Sequence, residues 1–171
     1  MKDLDGICIL NSIAWGPDDA DLIIYCDACP SGLGFYCPSF NIGSCSQITD
    51  ATRSKTIFFL EAICVASALA WASSHLQFVP RCLLIYSDSM DTVEIFHSMQ
   101  GKSEDYNAIV FFMVEILLQM KLSLRVFHIP GTENGVADAL SCLLLDVALT
   151  LHPYLDVRSF QPPQLAMGAA K

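Results

Sequence analysis

Positive charge is what this chain has least of. Nine Lys and Arg stand against eighteen Asp and Glu, for a formal net charge of -9. A domain that grips nucleic acid unaided carries a basic patch against the phosphates. Its absence argues against a stand-alone nucleic-acid binder, so any polyanionic substrate would need metal ions and a neighbouring domain or subunit to share the grip. Long uncharged apolar runs are missing as well. The most apolar stretches, 57–72 and 108–120, carry Glu61 and Glu115 and are short for a bilayer span. They are expected as core helices, and no membrane partner is expected. No secretory leader is expected either, because Lys2 is followed by Asp3 and Asp5 and no long apolar run comes next. No internal repeat is evident.

What is abundant completes the bounds. Apolar residues make up 53% of the chain, which excludes general disorder. The eight cysteines (Cys8, Cys26, Cys29, Cys37, Cys45, Cys64, Cys82 and Cys142) are expected as free, mostly buried thiols in a reducing intracellular setting, cytoplasmic or nuclear. Cys26-x-x-Cys29 with Cys37 and Cys45 makes a poor zinc site: the first pair brackets Asp27 inside an apolar strand, and the later spacings match no compact knuckle.

The 171 residues fit one domain plus tails. Strands are expected over 21–26, 33–37 and 44–48, the first two joined by the turn Cys29-Pro30-Ser31-Gly32. Helices are expected over 54–76, 89–99 and 105–120, strands over 81–87 and 122–129, and a helix capped by Asn134 running through Leu140 toward Leu149. A short helix or strand is expected over 4–13. The fold class is therefore α/β, a mixed five-stranded sheet with helices packed on it. Residues 21–149 form the domain. Residues 1–20 are set apart as an N-terminal segment, and 150–171, with three prolines and an Ala/Gly end, as a linker or tail.

Four acids stand in four settings along this order. Asp27 ends the apolar run Leu22-Ile23-Ile24-Tyr25-Cys26, Glu61 lies inside the long apolar helix, and Asp88 follows Leu83-Leu84-Ile85-Tyr86-Ser87. Asp138 lies ten residues after His128. Carboxylates at strand ends and on buried faces are costly unless cations or donors compensate them. Asp and Glu suit Mg²⁺, which takes oxygen ligands, and two such ions can serve phosphodiester hydrolysis by clamping the attacking and leaving oxygens. Each acid alone has a plain reading, as a turn cap, a solvated helix face or a first-turn acid at a helix dipole. Their order and settings together point to a carboxylate cage.

Asp27-Ala28-Cys29-Pro30-Ser31-Gly32-Leu33-Gly34 resembles the first motif of ribonuclease H domains, and Leu60-Glu61-Ala62 resembles the second. Tyr86-Ser87-Asp88-Ser89 resembles the third, and His128-Ile129-Pro130-Gly131 through Asn134 to Ala137-Asp138-Ala139-Leu140-Ser141 the fourth. In that last form the motif is similar to the ribonuclease H domain of retroelement polyproteins, especially fungal ones. The resemblance implies a ribonuclease H-like fold, with Asp27, Glu61, Asp88 and Asp138 as ligands of two Mg²⁺ or Mn²⁺ ions and His128 as a mobile proton-transfer residue. It implies cutting of the RNA strand of RNA·DNA hybrids, a reverse transcriptase domain as partner, and residues 1–20 as the end of a connection segment. Cys29 stands where Ser is common, Cys142 where Arg often follows Leu-Ser. A basic substrate-handling loop has no counterpart around Lys102. The rival expectation is a packing module that keeps the fold beside a reverse transcriptase without cutting.

Overall fold

Leu22, Ile24, Cys26 and Ala28 are buried on one side of β1 (Leu22–Ala28), while Ile23 and Tyr25 are half-buried on the other. This period of two, apolar on both sides, belongs to a strand inside a sheet covered on both faces. In the computed structural model, which describes residues 15–76, 78, 80–100, 103–164 and 166, β1 lies near the middle of a six-stranded mixed sheet. β2 (Gly32–Cys37) and β3 (Ile42–Gln47) continue it antiparallel on one side. β4 (Cys82–Ser87) and β5 (Ser123–His128) extend it in parallel on the other. β6 (Asp156–Ser159) pairs in parallel with β3, so the order is β5-β4-β1-β2-β3-β6.

The sixth strand corrects the expected count of five, and it comes from residues assigned to the tail. Asp-Val-Arg-Ser has no strand signature of its own, being short and polar. Main-chain bonds hold it to β3, with Asp156 N–H donating to the Asn41 carbonyl at 2.7 Å and Phe160 N–H to that of Cys45 at 3.1 Å. The Phe160 ring then packs 5.0 Å from that of Phe35. At the other end, Trp15 is buried and its Nε1 donates to Ser123 Oγ at 2.8 Å. The element expected over 4–13 and the cation Lys102 lie outside the described residues.

α1 (Ile57–Ser74), α2 (Met90–Ser98) and α3 (Glu104–Met120) pack against the face of the sheet bearing Leu22, Ile24 and Cys26. A one-turn helix, Asp50–Arg53, precedes them. α1 is apolar around nearly its whole circumference, and such a helix must be covered on all sides. By length and composition it could cross a membrane, contrary to the expectation that it is too short, yet 72% of it is buried inside the fold as the central core helix. Its start is set by Thr56, whose hydroxyl accepts from Phe59 N–H at 3.3 Å.

The opposite face is covered by α4 (Gly135–Ser141) and α5 (Leu145–Leu151), two helices where the sequence suggested one running toward Leu149. Leu143, with φ of 58°, breaks the run. Leu144 N–H bonds back to the Ala139 carbonyl at 2.8 Å and Leu143 N–H to that of Leu140 at 3.1 Å. This is a left-handed helix stop of the kind glycine usually supplies, and leucine gives no sign of it.

α4 lies directly on the strands because glycines make room. A Cβ at Gly34 would stand 2.7 Å from the Ala137 carbonyl oxygen and 2.8 Å from the Leu140 carbonyl carbon, and one at Gly32 2.7 Å from the Ser141 carbonyl oxygen. Since Gly34 is the register partner of Asp27, this close approach sets the height of α4 above the acid. Gly34→Ala is therefore expected to cost about 3 kcal/mol in urea unfolding, the upper end of ordinary overpacking. Gly16→Ala, where a Cβ meets nothing nearer than 3.9 Å, should change stability little.

Candidate active site

β1 outruns its parallel neighbour. The last β1–β4 pair is Cys26 with Ser87, so Asp27 and Ala28 extend past the end of β4. An amide facing that side has no strand to bond. Glu61, one turn into α1, supplies the acceptor: Ala28 N–H donates to Glu61 Oε1 at 3.1 Å. Asp88 follows the last residue of β4 and leans over the same opening. Three acids from β1, α1 and the β4–α2 junction thus meet at the C-terminal ends of two central parallel strands, with ligand oxygens of Asp27, Glu61 and Asp88 all within 4.8 Å of one another.

The meeting is electrostatically costly. Asp27 and Glu61 are each 5% exposed, and no Lys or Arg pairs with either among the described residues. Burial first, then the charges of Asp27 and Asp88, push Glu61 up to about 9 despite the Ala28 amide. Burial also pushes Asp27 up to about 7; the Ser141 hydroxyl opposes this, and the charges of Asp88 and Asp138 add to it. Glu61 Oε2 is buried with no hydrogen-bond partner.

These features fit a hard divalent cation. Oxygens on opposite corners of a Mg²⁺ octahedron lie about 4 Å apart, close to the spread of this cluster. An ion there would give Glu61 Oε2 a partner and offset the repulsion among the three acids. Among the described residues this is the one such group of His, Cys, Asp and Glu, and no cysteine joins it.

Two residues expected with the cluster stand at its rim. Asp138 is exposed on α4 and lies outside the close group of three, though its charge still reaches Asp27. His128 is exposed at the end of β5, opposite Ser87, the residue before Asp88. The turn Gly131–Glu133 that follows presses on the site, since a Cβ at Gly131 would be 3.1 Å from Asp88 Oδ2.

Ser141 was visible in the sequence only as the end of a motif, yet its hydroxyl bonds Asp27 Oδ2. Its position three residues after Asp138 puts both on one helix face, a spacing that could have indicated the role. Asn134 corrects another expectation. It stands at the N-terminus of α4, but its side chain does not cap the helix; Nδ2 donates to the Cys26 carbonyl at 2.9 Å, tying α4 to β1. Cys29 adds a second tie, its Sγ donating to the Ser141 carbonyl at 3.2 Å.

No family model matches the sequence, and no curated protein matches it. Solved structures do match. The crystal structure of LC11-RNase H1 in complex with RNA/DNA hybrid is similar over 75% of this chain and 99% of that one, with 20% identity and a TM-score of 0.61. RNase H1 from the halophilic archaeon Halobacterium salinarum NRC-1 is similar over 73% of this chain and 97% of its own, with 18% identity and a TM-score of 0.58. The chain has the ribonuclease H-like fold.

The raised carboxyls give a pH dependence of defined sign. Folded Asp27 and Glu61 keep their protons to about 7 and about 9, above their ordinary values of 3.8 and 4.5. The native state therefore binds more protons through this window, and metal-free stability falls as pH rises across it. Thermal melts in EDTA should drop between about pH 5.5 and about pH 8.5, while Mg²⁺ should raise the Tm more at the higher pH, where the acids are free to bind it. Glu61→Gln should flatten both responses; unchanged responses in that variant would contradict the assignment.

Proposed function

We propose that this chain is a metal-dependent ribonuclease H that cuts the RNA strand of RNA·DNA hybrids. The observation that carries the reading is the convergence of Asp27, Glu61 and Asp88 from three separate elements, with Glu61 Oε2 buried and unpartnered, at one edge of this fold. The likeness to an RNase H1 held on an RNA/DNA hybrid supports the choice of substrate. The neighbourhood of His128 and Asp138 at the rim of the same edge supports the four-acid assignment.

Two Mg²⁺ or Mn²⁺ ions would supply the activated water and neutralise the charge on the attacking and leaving oxygens. Asp27 and Asp88 would serve both ion positions, with Glu61 and Asp138 each completing one. Ser141 holds the Asp27 carboxylate in place through its hydroxyl. Asn134 and Cys29 fix α4, and with it Asp138, against β1. His128, exposed beside the strand end, is free to swing toward a departing product and carry a proton. Ribose 2′-hydroxyls would mark the strand to be cut.

In the same reading the domain works inside a retroelement polyprotein, within the cell, next to a reverse transcriptase domain. The scarcity of basic residues supports a partner that carries part of the phosphate contact. The same scarcity favours the second reading, a packing module that keeps the fold without cutting.

An end-labelled RNA·DNA hybrid, incubated with the purified chain in Mg²⁺ and then Mn²⁺, separates the two. Cleavage of the hybrid but not of single-stranded or duplex RNA is expected. Asp27→Asn should lower it by about 10²–10³-fold, and Ser141→Ala by about tenfold through weaker ion binding. His128→Ala should slow turnover without abolishing it. Folded protein that neither cuts nor gains stability from either metal would leave the packing module.

A further inference from the structure

On the sheet face that carries α4, beside the acids, runs a row of rings. Tyr86 of β4, Tyr25 of β1 and Tyr36 of β2 are register partners across three strands. Their centroids are 5.2 Å apart for Tyr25–Tyr86 and 6.2 Å for Tyr25–Tyr36, and His152 stands edge-on to Tyr36 at 5.4 Å. Where the turn Gly131–Glu133 and the start of α4 overhang Tyr25 and Tyr36, they leave a cavity of about 380 Å³.

The lining has a definite chemistry. Glu133 is its one charged side chain, no Lys, Arg or His is among the lining residues, and Glu133 forms no ion pair among the described residues. Asn134 also lines the cavity; with Nδ2 engaged by the Cys26 carbonyl, its Oδ1 is buried without a donor. Pro38, Val136 and Leu151 supply apolar walls.

Ring faces and an unpaired carboxylate call for a flat cation rich in N–H groups. A guanidinium offers five donors and no acceptor, stacks on aromatic rings and pairs with carboxylates. A lysine ammonium brings the charge without the plane. A nucleotide would bring phosphate against Glu133 with no cation in the lining to receive it.

We propose that this cavity is a seat for an arginine side chain on a segment of a partner protein, stacked on Tyr25 and Tyr36 and paired with Glu133. A chain of net charge -9 has a general electrostatic preference for such a partner. The seat shares the turn Gly131–Glu133 with Asp88, so the segment would bind beside the acid cluster without entering it. The assignment stands whether or not the acids cut nucleic acid.

The test uses the full chain titrated with N-acetyl-arginine methylamide, following the Tyr25 and Tyr36 ring signals by NMR, with the lysine and citrulline counterparts and adenosine monophosphate run alongside. Saturable shifts at both rings with the arginine probe are expected, weaker ones with lysine, and none with citrulline. Glu133→Gln, an exposed substitution whose folding is checked by its melt, should weaken binding about tenfold, the loss of one charged hydrogen-bonding partner. Equal binding of citrulline, undiminished binding by Glu133→Gln, preferential binding of adenosine monophosphate, or no saturation at all would overturn the proposal.

Discussion

Two buried carboxyl groups held beside a third, with no basic side chain paired to either buried one among the described residues, form the constraint on which the rest of this structure turns. Desolvation penalises the ionised forms of Asp27 and Glu61, and their neighbours' charges add to the penalty. The fold meets part of this cost with single, well-placed donors: the Ala28 amide to Glu61 and the Ser141 hydroxyl to Asp27. Both donors, one a backbone amide and one a side-chain hydroxyl, are placed by the path of the backbone. The first exists because β1 runs beyond β4, the second because Gly32 and Gly34 let α4 lie on the strands. What these donors leave over, including the unpartnered Glu61 Oε2, is what a divalent cation would neutralise.

The same arrangement connects core to site. α1 is buried on nearly every side, so Glu61 cannot drift toward solvent without dragging the central helix with it. Asp27 is fixed within a strand flanked by pairs on both sides up to Cys26. Asp88 and Asp138 sit on less buried ground, one just past a strand and one on a two-turn helix held by Asn134 and Cys29. Two acids fixed in buried elements and two on less buried ground would suit a site that holds ions while substrate enters and product leaves.

Much of this was legible in the sequence because the relevant signals are local. Continuous apolar runs marked β1 and β4, and their ends located Asp27 and Asp88; a long apolar run marked α1 and made Glu61 conspicuous. The parts that were not legible depend on contacts distant in sequence. β6 is polar and exists through its bonds to β3 and the anchoring of Phe160. The break between α4 and α5 falls on Leu143, a residue that does not ordinarily adopt a left-handed backbone. Asn134 looked like a helix cap, but the carbonyl of Cys26, 108 residues away, takes its amide instead. The row of Tyr86, Tyr25 and Tyr36 appears only once strand order and register are known.

The central claim, that the acids at the edge of β1 are a seat for hard divalent ions, is tested most directly by anomalous diffraction from crystals soaked in Mn²⁺. A peak coordinated by Asp27, Glu61 and Asp88, absent in crystals of Glu61→Gln, is the predicted result. Ordered crystals in which those three carboxylates stay free of density while Mn²⁺ sits elsewhere would contradict it.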